Sequence, residues 1–164
     1  MSLPSKVLPG FSAALYAQSG ASPTALTLAQ LSTLANVAAI AVSGNQLLVE
    51  AVPAFGQDDA VASFGVAGSR QSDKIPVQSA PTSMTVTAAW NPSDAGLLLI
   101  RADAYSGLVD RTYVIAAYDG TNTVAYAFNG RVSEFKIDAP PGKEATCTFT
   151  IHPRGNQYGW SNNT

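Results

Sequence analysis

Polar and apolar residues alternate most regularly between Ser83 and Trp90. Met84, Val86, Ala88 and Trp90 fall on one side, and Ser83, Thr85, Thr87 and Ala89 on the other. A period of two sends successive side chains to opposite faces, so this segment predicts a half-buried β-strand. Residues Glu144 to His152 repeat the pattern, with Ala145, Cys147, Phe149 and Ile151 on one face and Glu144, Thr146, Thr148, Thr150 and His152 on the other. The threonine face is solvated or meets a neighbour. A first strand is expected over Phe11 to Ala17, and further strands over Val109–Tyr118, Thr123–Asn129 and Arg131–Ile137. Asp119-Gly120-Thr121-Asn122 and Pro140-Pro141-Gly142 supply turns between them.

A switch to helical spacing follows Asn91-Pro92-Ser93-Asp94, which combines capping side chains, an early proline and an acid near the positive end of the helix dipole. The predicted helix runs from about Pro92 to Ser106 and stops at Gly107. Leu97, Ile100 and Ala104 share the face that docks it, while Leu98 and Tyr105 project from another face beside Asp94, Arg101 and Ala102. Thr24–Ala41 carries both periods. Leu28, Leu31, Leu34 and Ala35 suit a helix, and the run from Val37 suits a strand, so a loop or helical turn leading into a strand from Val37 is expected. Gly44-Asn45 would then turn it into a hairpin with Leu47–Val52.

Residues 53–81 show no sustained period and are punctuated by Pro53, Pro76 and Pro81, which predicts a long loop. Loops longer than about 12–15 residues are uncommon unless they serve a function or are disordered. Gly56, Gly65 and Gly68 raise the entropy of the free segment, and its few apolar anchors are Val61, Phe64, Val66, Ile75 and Val77. The expected architecture is one mostly β domain over residues 1–164, an antiparallel β-sandwich or barrel with one helix (about 92–106) and one long loop (about 53–81). An N-terminal arm (1–10) and a C-terminal tail (154–164) flank it.

Composition narrows the function. Only 12% of residues are charged against 46% hydrophobic, about half the charge of an average globular protein, so small neutral side chains must cover much of the surface and association is favoured. A net charge of -2 argues against gripping nucleic acid, which needs clustered Lys and Arg. Cys147 is the single cysteine and His152 the single histidine. They alternate to opposite faces of one strand, so no zinc site is expected, and Cys147 reads as a small buried hydrophobe. A hydrolytic triad would have to use His152, next to Pro153 at a strand end. Asp58, Asp59 and Asp73 lack the spacing of a calcium loop, and Gly65-Val66-Ala67-Gly68-Ser69 lacks the lysine of a phosphate loop. No catalytic residue, metal or cofactor is expected, and no segment has the length of a membrane span or the apolar core of a signal peptide.

The element order, with Phe128-Asn129-Gly130-Arg131-Val132-Ser133 and Cys147-Thr148-Phe149-Thr150-Ile151 in the closing strands, resembles the tail tube (major tail) proteins of long-tailed bacteriophages. The resemblance covers Phe11 to Gly155. It implies a subunit that forms hexameric rings stacked into a tube for genome delivery, related to contractile-injection and type VI secretion tubes. The partners implied are further copies of the chain, other tail proteins (tape measure, tip and terminator) and double-stranded DNA in transit, in a virion assembled in the host cytoplasm. It further implies subunit and ring contacts through the long loop, for which Gln57, Asp58, Asp59, Phe64, Arg70, Asp73 and Lys74 are the candidates. Leu98 and Tyr105 are expected to bury between subunits, and Ser83, Thr85 and Thr87 to face the bore or a neighbouring sheet. Two rival readings are a carbohydrate-binding type of β-sandwich, with Trp90, Tyr113, Tyr118, Tyr126 and Trp160 as stacking platforms, and an enzyme, for which His, Cys and paired acids are scarce.

Overall fold

The computed structural model describes residues 12–65, 72–118 and 123–162. Strand β1 (Ser12–Ala17) is followed by two short helices, α1 (Leu28–Leu31) and α2 (Leu34–Ile40), and by the two-residue strand β2 (Gln46–Leu47). Next come β3 (Gln57–Gly65), β4 (Ser72–Pro81), β5 (Met84–Ala89), helix α3 (Ala95–Ser106), β6 (Arg111–Tyr118), β7 (Thr123–Asp138) and β8 (Thr146–Asn162). Six strands form one antiparallel sheet in the order β2-β1-β6-β7-β8-β5, and β3 and β4 pair only with each other.

The sheet curls until its edges meet. Beyond β2 the chain crosses to β5, where Val49 bridges Ala88. Ala89 N–H donates to the Leu48 carbonyl at 3.1 Å, and Glu50 N–H to the Thr87 carbonyl at 2.9 Å. Inside the curl, Leu15, Leu47, Met84, Val86, Ala88, Tyr113, Ile115, Phe128, Val132, Cys147, Phe149 and Ile151 form the main core. Leu97 and Ile100 of α3 join it, as their spacing predicts. The alternation in β5 is realised side chain by side chain, with Met84, Val86 and Ala88 buried between exposed or half-buried neighbours.

A second core lies on the other face of the sheet. Leu31, Val37 and Ile40 pack there on Val114, Ala125 and Ala127. This corrects the expected strand from Val37 and the hairpin at Gly44-Asn45. Thr27 and Gln30 form a reciprocal capping box that starts α1, and the (i, i+3) pair Val37 and Ile40 gains more by docking α2 than β-branching offers a strand. Ser43–Asn45 is a turn of 3-10 helix, held where Asn45 Nδ2 donates to the Ile40 carbonyl at 3.0 Å. The predicted strand Leu47–Val52 shrinks to β2, which pairs with β1.

Three other boundaries move. Helix α3 starts at Ala95 and not Pro92, because Asp94 is its cap: Asp94 Oδ1 accepts from the amides of Gly96 and Leu97. The strands expected on either side of Gly130 are one strand, β7. Gly130 is there for close approach, since a Cβ would lie 3.0 Å from Ile151 Cγ2 and 3.1 Å from the His152 carbonyl oxygen. The tail assigned to 154–164 continues as strand to Asn162, pairing with Thr123–Ala127 of β7. Two irregularities break the long β7–β8 ladder, between Ala127/Asn129 and between Ser133/Lys136. Gly155 (φ 77°) on β8 sits opposite the first, and Glu134 (φ 58°) occupies the second. A non-glycine residue in that region is strained, and bulges accommodate it by re-aiming the side chain.

Candidate assembly surfaces

The predicted loop 53–81 is instead a hairpin arm. Strands β3 and β4 pair from Gln57↔Pro81 at the base to Gly65↔Ser72, and residues 66–71, including Arg70, lie outside the described residues. The register shifts between Ala60 and Val61, where Pro76 faces Val61. A proline donates no ladder hydrogen bond and sits best at a bulge or on an edge. Those prolines hid the strands from a reading based on period. Residues Gln57 to Ser63 are all exposed, as are Lys74, Pro76, Ser79 and Ala80. Gln57 Oε1 accepts from Ser79 Oγ at 3.0 Å and Asp58 Oδ2 from Thr82 Oγ1 at 3.1 Å, so both stiffen the base. Asp59 and Lys74 point into solvent, and Phe64 and Asp73 face each other in the backbone register.

Helix α3 presents the second surface. Leu98 is 40% and Tyr105 74% exposed, and the Arg101 guanidinium lies 5.6 Å from the centroid of the Tyr105 ring. Leu108, just past the Gly107 cap, is exposed as well. The inward face carries a charge that the sequence does not announce. Asp103 and Arg111, 3% and 1% exposed as side chains, form an ion pair with Nε donating to Oδ2 at 2.5 Å. Arg111 Nη1 also donates to the carbonyls of Gln18 and Gly20. It thereby ties α3 and β6 to the chain leaving β1.

The third surface is the polar face of β5, β8 and the second half of β7. Register sets Thr85 opposite Thr150 and Thr87 opposite Thr148. Thr85 is exposed and Thr87 half-buried, and the Thr85 and Thr150 hydroxyls are 3.4 Å apart. Thr150 Oγ1 donates to Glu134 Oε2 at 3.3 Å, so the strained bulge holds a carboxylate on this face. His152 of β8 links β7 to the residue that precedes β5, with Nδ1 2.8 Å from Ser83 Oγ and Nε2 2.7 Å from Ser133 Oγ. Both ring nitrogens thus meet serine hydroxyls and no carboxylate orients the ring, which is not the arrangement of a hydrolytic triad. Among the described residues no three His, Cys, Asp or Glu side chains gather as a metal site, and no helix is long and apolar enough to cross a membrane.

At the start of β6, Asp110 accepts from Arg131 Nε at 2.7 Å and from Arg154 Nη1 at 2.8 Å, joining β7 to β8 at the surface. The hydrogen bond from Arg131, more than the opposing desolvation, holds the Asp110 carboxyl below its ordinary value. A depressed carboxylate pKa adds stability above the unfolded-state value of about 3.9, lost as pH falls through the folded value. The difference in stability between the wild type and Asp110→Asn should therefore be constant near pH 7 and vanish on acidification. With side chains a third to a half exposed it should not exceed about 1 kcal/mol. Urea titrations at several pH values measure it.

Among the described residues, three of the aromatic candidates are engaged within the fold. Tyr113 is buried against Phe128, and burial pushes its phenol well above the ordinary value. Trp90 packs edge-on to Phe135, and Tyr126 on Phe55. Tyr118 is about half exposed, and the side chain of Trp160 lies outside the described residues. Cys147 is fully buried, and desolvation pushes its thiol up.

No protein-family model and no curated protein matches the chain. Solved structures do match. A chain in the cryo-EM structure of an extracellular contractile injection system, the PVC sheath/tube terminator in its extended state, aligns with a TM-score of 0.61 at 10% identity, covering 98% of this chain and 97% of its own length. A chain of the anti-feeding prophage (AFP) baseplate aligns with a TM-score of 0.61 at 12% identity, with the same coverage of 98% and 97%. The SPP1 tail tube structure aligns with a TM-score of 0.54 at 13% identity over 93% of this chain and 77% of that one. The chain therefore has, over nearly its whole length, the mostly β fold of chains from contractile injection particles and from a tail tube.

Proposed function

We propose that this chain is the structural subunit of a bacteriophage tail tube, polymerising as stacked hexameric rings into the conduit for genome delivery. The observation that carries the reading is the fold shared end to end with chains of tube-bearing particles. Three surfaces of the monomer agree with it. A hairpin arm exposes β3 from Gln57 to Ser63, a helix shows large apolar groups to solvent, and half of a sheet face is polar and largely uncovered by the helices. The partners are further copies of the chain first, then the tape measure, tip and terminator proteins of the tail, and the particle is the place where it works. A non-catalytic role follows from the same reading.

In this arrangement the arm, with Gln57, Asp58, Asp59, Phe64, Arg70, Asp73 and Lys74, crosses to the next subunit or ring. Leu98 and Tyr105 bury between subunits. Ser83, Thr85 and Thr87, on the part of the sheet that α1 and α2 leave uncovered, line the bore. Hydroxyls from β5 and β8 with the Glu134 carboxylate make up most of this face, on which register also sets Lys136 opposite Thr148 and Arg131, already paired with Asp110, opposite His152; further Lys would hold passing phosphates by counterion release. Electron microscopy of the purified protein tests the reading: stacked rings support it, and monodisperse monomers at high concentration reject it. Thr85→Lys combined with Thr87→Lys should leave tubes intact and slow or stop DNA passage in an ejection assay. Normal ejection by this variant would remove the face from the bore.

A further inference from the structure

No Asp, Glu, Lys, Arg or His occurs between Ser12 and Val49, although much of that stretch is on the surface. Helix α2 is the centre of the anomaly. Val37 and Ile40 turn inward, yet Leu34, Ala35, Ala38 and Ala39 are exposed, and Asn36 is its single polar residue. A helix that is apolar on every side is normally sunk in a core. Here one side is covered by the sheet and the other is open. Exposed Leu28 before it and Val42 after it extend the run of large apolar groups. Loss of charge with retention of aliphatic groups is the composition of the buried centre of a protein interface, not of a solvated rim.

Resting on the tube reading above, we infer that this uncharged α2 face is the receiving half of the contact between neighbouring subunits, and that its occupant is the Leu98–Tyr105 face of α3 from a second copy. Three points select that occupant. The two helices lie on opposite faces of the sheet, since α2 packs in the cluster with Val114 and Ala127 and α3 in the cluster with Tyr113 and Phe128. Two different patches on opposite faces make a head-to-tail contact, the kind that repeats into rings, whereas a patch that meets itself stops at a dimer. A charged partner would be desolvated on α2 without compensation. The charges on the α3 face are already engaged: Arg101 rests on the Tyr105 ring, and the Asp94 carboxylate accepts from the amides of Gly96 and Leu97.

The test uses two full-length variants, Ala38→Arg and Leu98→Glu, followed by sedimentation and native mass spectrometry. Each should keep the wild-type melting temperature and remain monomeric, because each has lost one half of the contact. Mixed in equal amounts they should give heterodimers and nothing larger, since Ala38→Arg retains its α3 face and Leu98→Glu its α2 face. Assembly of Ala38→Arg into wild-type rings, or a mixture that stays monomeric at concentrations where the wild type assembles, overturns the inference and leaves the tube reading in place. A wild type that never assembles defeats the tube reading itself, and this inference with it. Should Ala38→Arg misfold, Ala35→Arg on the same exposed side carries the same test.

Discussion

Asp103→Ala is expected to be the most destabilising single substitution in the chain, at about 3–5 kcal/mol. Its carboxylate is the charge partner of Arg111, and both side chains are almost completely buried. Removing one member of such a pair leaves the other desolvated and uncompensated, and that penalty, more than the lost attraction, sets the magnitude. For a chain of this size it corresponds to a fall in melting temperature of about 6–20 °C. The pair couples α3, β6 and the carbonyls of Gln18 and Gly20, so local loosening at the end of β1 should accompany the loss. Exchanging both partners together, Asp103→Leu with Arg111→Met, should recover most of the stability, because no charge is then left buried. Thermal melts of the wild type and these two variants decide it. An Asp103→Ala protein within 1 kcal/mol of the wild type would mean that water reaches Arg111, and that the pair is a surface contact in practice.

That pair also marks where the sequence stops being legible. Period-two alternation locates β5 and the first half of β8 because one face of each is buried, and burial is what enforces alternation. The cap of α3 is legible to within a turn, since Asp94 and Gly107 act locally. The exposure of Leu98 and Tyr105 follows from the same local spacing. By contrast, Asp103 and Arg111 meet only because α3 folds back on the sheet, and neither spacing nor flanking residues signal that. Helix α2 is decided by what lies beneath it, Val114 and Ala127, which belong to strands far along the chain. The hairpin arm is obscured for a different reason. Strand β3 is exposed on both faces from Gln57 to Ser63 and so has no inward face to impose a period, and it reads as loop although every residue from Gln57 to Gly65 has a partner across the pair. Past Pro153 the sequence predicts a tail, whereas β8 continues to Asn162 because its backbone pairs with the start of β7, a partner far along the chain that local pattern does not reveal.

Removing the arm should abolish assembly and leave the subunit folded. Asp59 and Ser79 are directly paired, so residues 60–78 can be replaced by Asn-Gly, the two-residue connection that a tight hairpin favours. The described strands of the deleted part pair with no strand of the six-stranded sheet, and none of their described side chains enters either core cluster. The melting temperature of the truncated monomer should therefore stay within a few degrees of the wild type. A two-stranded hairpin standing alone in water is marginal, and with Val61 more than half exposed this one gains little from its own packing. Its free energy of ordering is recovered only when a neighbour covers it, which weakens each contact and lets rings add reversibly until many copies act together. Hydrogen exchange on the intact protein supplies the independent measurement. Amides of β3 and β4 should exchange quickly in the monomer and slowly in the tube. Equal, strong protection in both states, or tubes formed by the truncated chain, would show that the arm is self-sufficient structure and that the contacts between rings lie elsewhere.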